Sequence, residues 1–302
     1  MSHYNQPLFR RKFTEFFLWP VQGILVFIIV GFIRLLPVSL TSFLCGKLAN
    51  AIGPYTTHHQ RAKTHLTLAL PDITTAEQEQ ILHKMWNHLG RLAGEYPHVH
   101  HMGSERYMTF HGLEHLKNAS DGGFLVGAHL GNWELNLMVT ALLGRPYSII
   151  YRKLNNPFTN WVLDTRHKRG NPDSFAKGKD AARGMLKSLE KKHLIHIIAD
   201  QKYREGIKAP FLGLEADTPT GHIKIALKRK TPIIYMRAIR RQGCHYDIYI
   251  DPPVYIHTKE KITDELVAYH AVQMNDKLSQ FIKESPEQWL WPHRRWGKDI
   301  LK

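Results

Sequence analysis

The stretch from Phe16 to Ile33 constrains this chain most, because 18 consecutive residues are nearly continuous hydrocarbon, interrupted by the polar Gln22 and two glycines. As a helix it would be about 27 Å long at about 1.5 Å per residue, close to the hydrocarbon thickness of a bilayer. Arg10, Arg11 and Lys12 precede it and Arg34 follows, while Trp19 suits the membrane–water interface. Ala49-Asn50-Ala51 looks like a small-residue cleavage site but lies well beyond the apolar run. An uncleaved anchor over residues 1–36 is therefore expected rather than a signal peptide. The competing reading is a buried core helix with Gln22 facing protein. The flanking charges are too balanced to set an orientation.

The remainder, residues 37–302, has enough apolar material for one sizeable core. With 41 Lys and Arg against 26 Asp and Glu, the formal net charge is +15, so the partners should be anionic. Cys45 and Cys244 are the two cysteines, too few for a disulfide framework and too far apart for a redox or zinc motif.

Pro37 to Pro71 reads as short amphipathic helices, and Thr75 to Gly94 as a longer one with Thr75 as its cap. From Tyr107 onward short apolar runs alternate with helical stretches, the punctuation of an α/β domain. Strands are expected at 107–111, 123–128, 147–151, 194–199, 232–239 and 246–250. Helices are expected at 133–143, 158–168, 180–191, 221–230 and 263–283. The Gly-, Pro-, Asn- and Asp-containing segments 153–157, 170–180 and 203–220 read as loops, where substrate contacts concentrate. The fold class is thus α/β: a central, mostly parallel or mixed sheet flanked by helices, behind a membrane-anchor helix and a small helical N-terminal region.

Chemistry centres on Gly127-Ala-His-Leu-Gly-Asn-Trp-Glu134. His and Glu five apart is a weak pattern, and His100 with Glu105 repeats it. Context separates the two, since His129 follows a strand-like run and Glu134 opens a helix. On a single helix the two would point about 140° apart. A strand, a tight turn at Gly131 and a helix start can instead bring them together at the carboxyl edge of the sheet, where α/β proteins bind ligands. A histidine near its ordinary pKa can take a proton from a hydroxyl at neutral pH, and a carboxylate beside it can hold the tautomer and stabilise the imidazolium. There is no Gly-X-Ser-X-Gly elbow and neither cysteine lies in the motif.

His129-Leu-Gly-Asn-Trp-Glu134 resembles the signature of the late, or secondary, acyltransferases of lipid A biosynthesis, the lauroyl and myristoyl transferase type. Other segments agree in order: Tyr151-Arg152 with Asn156-Pro157, Ala199-Asp200-Gln201, Pro210-Phe-Leu-Gly213, Thr218-Pro-Thr-Gly221, and Pro286-Glu-Gln-Trp-Leu-Trp291 leading to His293-Arg-Arg295. The likeness spans nearly the whole chain. It implies transfer of a fatty acyl chain from acyl carrier protein to the hydroxyl of a 3-hydroxyacyl chain on a lipid A precursor, at the bacterial inner membrane with the catalytic domain facing the cytoplasm. His129 and Glu134 would be catalytic; Asn132, Arg152, Arg166, Asp200 and Gln201 would contact substrate. No cofactor and no metal are expected, and the anionic membrane surface is a partner while nucleic acid is not.

Thr218 to Gly221 should shape a loop and cap the next helix, and Arg294 and Arg295 are available to the carrier protein or lipid phosphate. The His-rich pieces at 97–101 and 111–115 read as surface histidines. A glycerol-phosphate or lysophospholipid acyltransferase is the nearest alternative, although such enzymes usually carry Asp where Glu134 stands. A basic membrane-binding protein without activity is the alternative from another class.

Overall fold

The computed structural model describes residues 12–151, 155–164, 172–176, 179–256, 258 and 261–297. The apolar run forms a turn of π-helix at Thr14–Leu18 continuous with helix α1, Trp19–Leu35. The combined helix is about 33 Å long at about 1.5 Å per residue, enough to cross a bilayer. Phe16, Phe17, Ile24, Phe27 and Phe32 project from it, exposed. Gln22 does meet protein on one side, where Asn156 Nδ2 donates to its Oε1 at 3.2 Å and to Trp19 O at 3.0 Å.

Helix α2 (Val38–Ile52) follows, then α3 (Thr57–Ala69) and α4 (Thr75–Glu95). Thr74, not Thr75, caps α4: its hydroxyl accepts from Glu77 N at 3.2 Å while the Glu77 carboxylate accepts from Thr74 N at 2.7 Å. A reciprocal pair satisfies two orphan donors at once, which is why the register settles one residue earlier. Helices α2 and α4 pack backbone to backbone, since a Cβ on Gly90 would fall 2.2 Å from Cys45 O.

The sheet is built from β1 (Met108–His111), β2 (Gly123–Gly127), β3 (Tyr147–Tyr151), β4 (Asp173–Ala176), β5 (Leu194–Ile198), β8 (Ile233–Gln242) and β9 (His245–Ile250), after which β6 (Ile207–Phe211) and β7 (Leu214–Thr218) form a separate hairpin. The seven strands run in the order β1-β9-β8-β2-β5-β3-β4, parallel throughout except for the antiparallel β8–β9 pair. Helices α5 (Leu113–Asn118), α6 (Trp133–Leu142), α7 (Lys179–Glu190), α8 (Gly221–Arg229) and α9 (Asp264–Glu284) complete the described set of longer helices. This is the expected α/β class.

Strand β2 is central and buried along its whole length, so its sequence is uninterrupted hydrocarbon rather than alternating. Its side chains still alternate in destination. Phe124 and Val126 join the core beneath α4, α8 and α9, whereas Leu125 joins Leu135, Met138 and Val139 of α6 on the opposite face.

Two expectations fail in the lower half of the chain. Segments 170–180 and 203–220, read as loops, contain β4 and the β6–β7 hairpin. The expected helix over 158–168 is broken: Pro157–Thr159 is a 3₁₀ turn and Trp161–Asp164 a single helical turn, with the rest outside the described residues. Asn156 starts that 3₁₀ turn by accepting from Phe158 N at 2.9 Å. Contact with α1 shapes it further, since Phe158 packs against Gly23 and Phe27 meets the Trp161 ring edge-on at 5.7 Å.

Candidate active site

Strand register explains how two residues 71 apart come together. In the parallel β2–β5 pair, Gly127 stands opposite Ile198, and Ala199 N donates to Gly127 O at 3.0 Å. His129 and Asp200 each lie two residues beyond those partners, so both leave the carboxyl edge of the sheet side by side. Imidazole Nδ1 is 2.7 Å from Asp200 Oδ1, and the backbone N–H of His129 donates to Oδ2 at 2.8 Å. Trp289 Nε1 donates to the same Oδ2 at 2.7 Å.

The electrostatics of this carboxylate follow from those partners. Burial alone would raise its pKa, but the adjacent imidazole and three hydrogen bonds outweigh burial and hold it well below the usual carboxylate range. An ionised carboxylate can only accept. Nδ1 therefore carries the hydrogen, and Nε2 presents its lone pair. That lone pair faces the Gln201 side-chain amide, with Nε2 to Nε2 at 3.1 Å. The imidazole side chain is 14% exposed and that of Asp200 2%: a base that can be reached, on a counter-charge that cannot.

The turn after His129 is held by backbone. Gly131 has φ +59°, and a Cβ there would lie 1.8 Å from Ala238 O, so no side chain fits. Gly131 N donates to Gln288 O at 3.0 Å, Asn132 N to Ala238 O at 2.9 Å, and Leu290 N to His129 O at 3.2 Å. The Pro286–Trp291 run thus lies against the turn as a short antiparallel bridge, Leu130 opposite Trp289. Trp289 also anchors the site carboxylate.

Glu134, at the start of α6, is buried and accepts from Trp133 Nε1 at 3.0 Å. The Trp133 ring stands edge-on to His129 with centroids 4.9 Å apart. Asn132 points away from the crevice and donates to Glu95 Oε2 at 3.3 Å. Arg152 and Arg166 lie outside the described residues. A further imidazole, that of His293, is roughly parallel to His129 at 6.4 Å. Burial, adjusted by the charges of Asp200, His129 and Arg295, brings its pKa down to about 4.

Three smaller expectations are corrected. Arg295 is fully buried and unavailable to a carrier protein or lipid phosphate: it donates to Asp217 O at 2.6 Å and Thr218 Oγ1 at 2.9 Å and lies over the Phe211 ring. Thr218 serves that arginine and Asn275 instead of capping a helix, and α8 begins after Thr220 without a side-chain cap. His98 is not at the surface, being buried against α1 with Nε2 3.1 Å from Ile33 O.

Sequence reasoning also missed a buried ionic group behind the turn. Glu95 accepts from Ser42 Oγ at 2.7 Å, Tyr246 Oη at 2.5 Å, and both terminal nitrogens of Arg240. These residues come from α2, α4, β8 and β9, and no local spacing in the sequence signals their meeting.

Comparison of the sequence with known proteins supplies the family. Residues 10–298 match the profile of the bacterial lipid A biosynthesis acyltransferases. The chain belongs to that family. Among curated relatives, a lipid A biosynthesis palmitoleoyltransferase of Escherichia coli K12 is 27% identical over 271 residues, 86% of each chain. A lipid A biosynthesis acyltransferase of Haemophilus influenzae is 23% identical over 278 residues, covering 89% of this chain and 84% of its own. The Escherichia coli K12 lauroyltransferase of the same pathway is 27% identical over 197 residues, 63% of this chain and 62% of its own. As a member of this family the chain is an acyltransferase of lipid A biosynthesis, and its apolar helix is compatible with membrane association.

Proposed function

We propose that this acyltransferase moves a fatty acyl chain from an acyl carrier protein thioester to the hydroxyl of a 3-hydroxyacyl chain on a lipid A precursor, with His129 as general base. The observation that carries this reading is the 2.7 Å contact of His129 Nδ1 with the buried Asp200 carboxylate, an acceptor that selects the Nδ1–H tautomer. With Nδ1–H committed to Asp200, Nε2 can displace the Gln201 amide for an acceptor hydroxyl. It takes the hydroxyl proton as the oxygen attacks the thioester carbonyl, and the imidazolium returns that proton to the departing thiolate. One C–O bond forms, one C–S bond breaks, and no redox change is required. The buried charge of Asp200 stabilises the imidazolium at a contact distance where the interaction is strong. Glu134, one aromatic ring away through Trp133, completes the reactive pair named by the motif. Arg152, Arg166 and Gln201 are assigned to substrate, Arg152 and Arg166 because a guanidinium fork suits phosphate or a developing oxyanion.

Residues 1–36 act as the membrane anchor and residues 37–302 as the acyltransferase domain. The net charge of +15 suits an acidic carrier protein and an anionic lipid surface, and the carrier's cytosolic location puts the domain on the cytoplasmic side. The direct test incubates detergent-solubilised protein with C12- or C14-charged carrier protein and a precursor bearing free 3-hydroxyacyl groups, and weighs the lipid. One added acyl mass is expected with wild type and at least about a hundredfold less with His129→Ala or Glu134→Ala. Transfer to glycerol phosphate or a lysophospholipid instead would overturn the acceptor. A C-terminal reporter active only in the periplasm would overturn the orientation, and turnover unaffected from about 50 to about 500 mM salt would overturn the basic carrier-protein contact.

A further inference from the structure

The chemistry above makes no use of the buried group behind the Gly131 turn, yet one arm of that group ends on the turn itself. Arg240 Nε donates to His88 Nδ1 at 3.2 Å, and His88 Nε2 is 3.2 Å from the Gly131 carbonyl oxygen. The partners dictate the tautomer. A guanidinium N–H can only donate, so Nδ1 accepts; a carbonyl oxygen can only accept, so Nε2 carries the hydrogen. Burial, then the Arg240 charge, pushes the His88 pKa well below its ordinary value, which keeps the ring neutral as this relay demands. The next residue is tied to the same group, because Asn132 Nδ2 donates to Glu95, the partner of Arg240. Two successive residues of the segment between His129 and Glu134 thus hang on one buried ion pair, Gly131 by its carbonyl and Asn132 by its side chain.

We propose that Glu95, Arg240 and His88 form a positioning relay that holds the Gly131 turn where His129 meets Asp200. None of the three is a catalytic residue; they act through the turn. Burying a carboxylate and a guanidinium is seldom more stabilising than filling the same space with hydrocarbon, so their geometric effect is the more informative one. The relay also reaches α2, through Ser42 on Glu95, and so links the helix that follows the apolar anchor to the reactive turn.

This inference rests on the acyl-transfer reading for its kinetic test and has a spectroscopic test that does not. His88→Phe removes both bonds, whereas His88→Gln can present an amide oxygen to Arg240 and an N–H to Gly131. Arg240→Lys keeps a charge beside Glu95 but loses the Nε donor, and it carries the test should His88→Phe fail to fold. The relay predicts kcat lowered about 10- to 100-fold in His88→Phe and Arg240→Lys with KM within about twofold, since a small misplacement of a catalytic group is felt in turnover. His88→Gln should recover most of that loss, and the double variant should be no worse than the poorer single one. The downfield proton resonance of His129 Nδ1–H, identified by its disappearance in Asp200→Asn, should be lost or shifted in the same two variants and retained in His88→Gln. Folded variants with wild-type kcat, or with an unchanged resonance, would overturn the proposal.

Discussion

The two sides of the Gly131 turn each carry a histidine, and they differ in the charge that meets Nδ1. On the crevice side a carboxylate accepts from His129, which leaves Nε2 as a lone pair. On the inner side a guanidinium donates to His88, which forces Nε2 to be N–H and disfavours a second positive charge. His129 is partly exposed, with the Gln201 amide at its Nε2; His88 is buried with both nitrogens occupied. The same side chain presents a lone pair in one place and an N–H in the other because of its neighbour's sign.

Predictions that would break this contrast can be ranked. His129→Ala should cost about 10³- to 10⁴-fold in kcat in the acyl-transfer assay while leaving the fold intact by circular dichroism. Asp200→Asn should cost about 10²- to 10³-fold, because a side-chain amide N–H beside Nδ1 favours the wrong tautomer. On the inner side the expected loss is in stability. Arg240→Ala leaves Glu95 buried without its guanidinium and should lower unfolding free energy by about 3–5 kcal/mol, read from a urea titration. A loss under about 1 kcal/mol would show that the group is not rigidly buried.

A further expected effect is a pH dependence of stability. Burial lowers His88 well below its ordinary pKa, His196 to about 3, and His222 and His293 to about 4. Each is a base whose folded pKa lies below the unfolded value near 6.5, so the unfolded chain binds more protons in between. Their stabilisation is present above about pH 6.5 and is lost as pH falls toward about 4. The urea midpoint should therefore be lower at about pH 5 than at about pH 7.5, and His196→Gln should flatten that slope by one histidine's share.

Much of the sheet was legible because strands such as Tyr147–Tyr151 are short hydrocarbon runs ending in polar or glycine-rich residues. The β6–β7 hairpin was not. Pro210 sits inside β6, and the turn is Leu212-Gly213 with both φ values positive, so a leucine stands where glycine or asparagine would have announced it. Ser279 compensates by accepting from Leu212 N at 2.9 Å. His129 was legible through its motif, and Asp200 was expected as a substrate contact. What spacing along the chain cannot show is register: that Asp200 meets Nδ1 follows from Gly127 standing opposite Ile198. The Glu95–Arg240–His88 group was invisible for the same reason, its members being joined through packing of α4 against the sheet.

The central claim is that a buried carboxylate fixes His129 as the base of acyl transfer, and turnover of Asp200→Asn beside wild type tests it most directly. The account predicts a folded protein, still able to bind acyl carrier protein and precursor, whose added acyl mass accumulates about a hundredfold or more too slowly. Wild-type turnover by Asp200→Asn would contradict it and remove Asp200 from the mechanism.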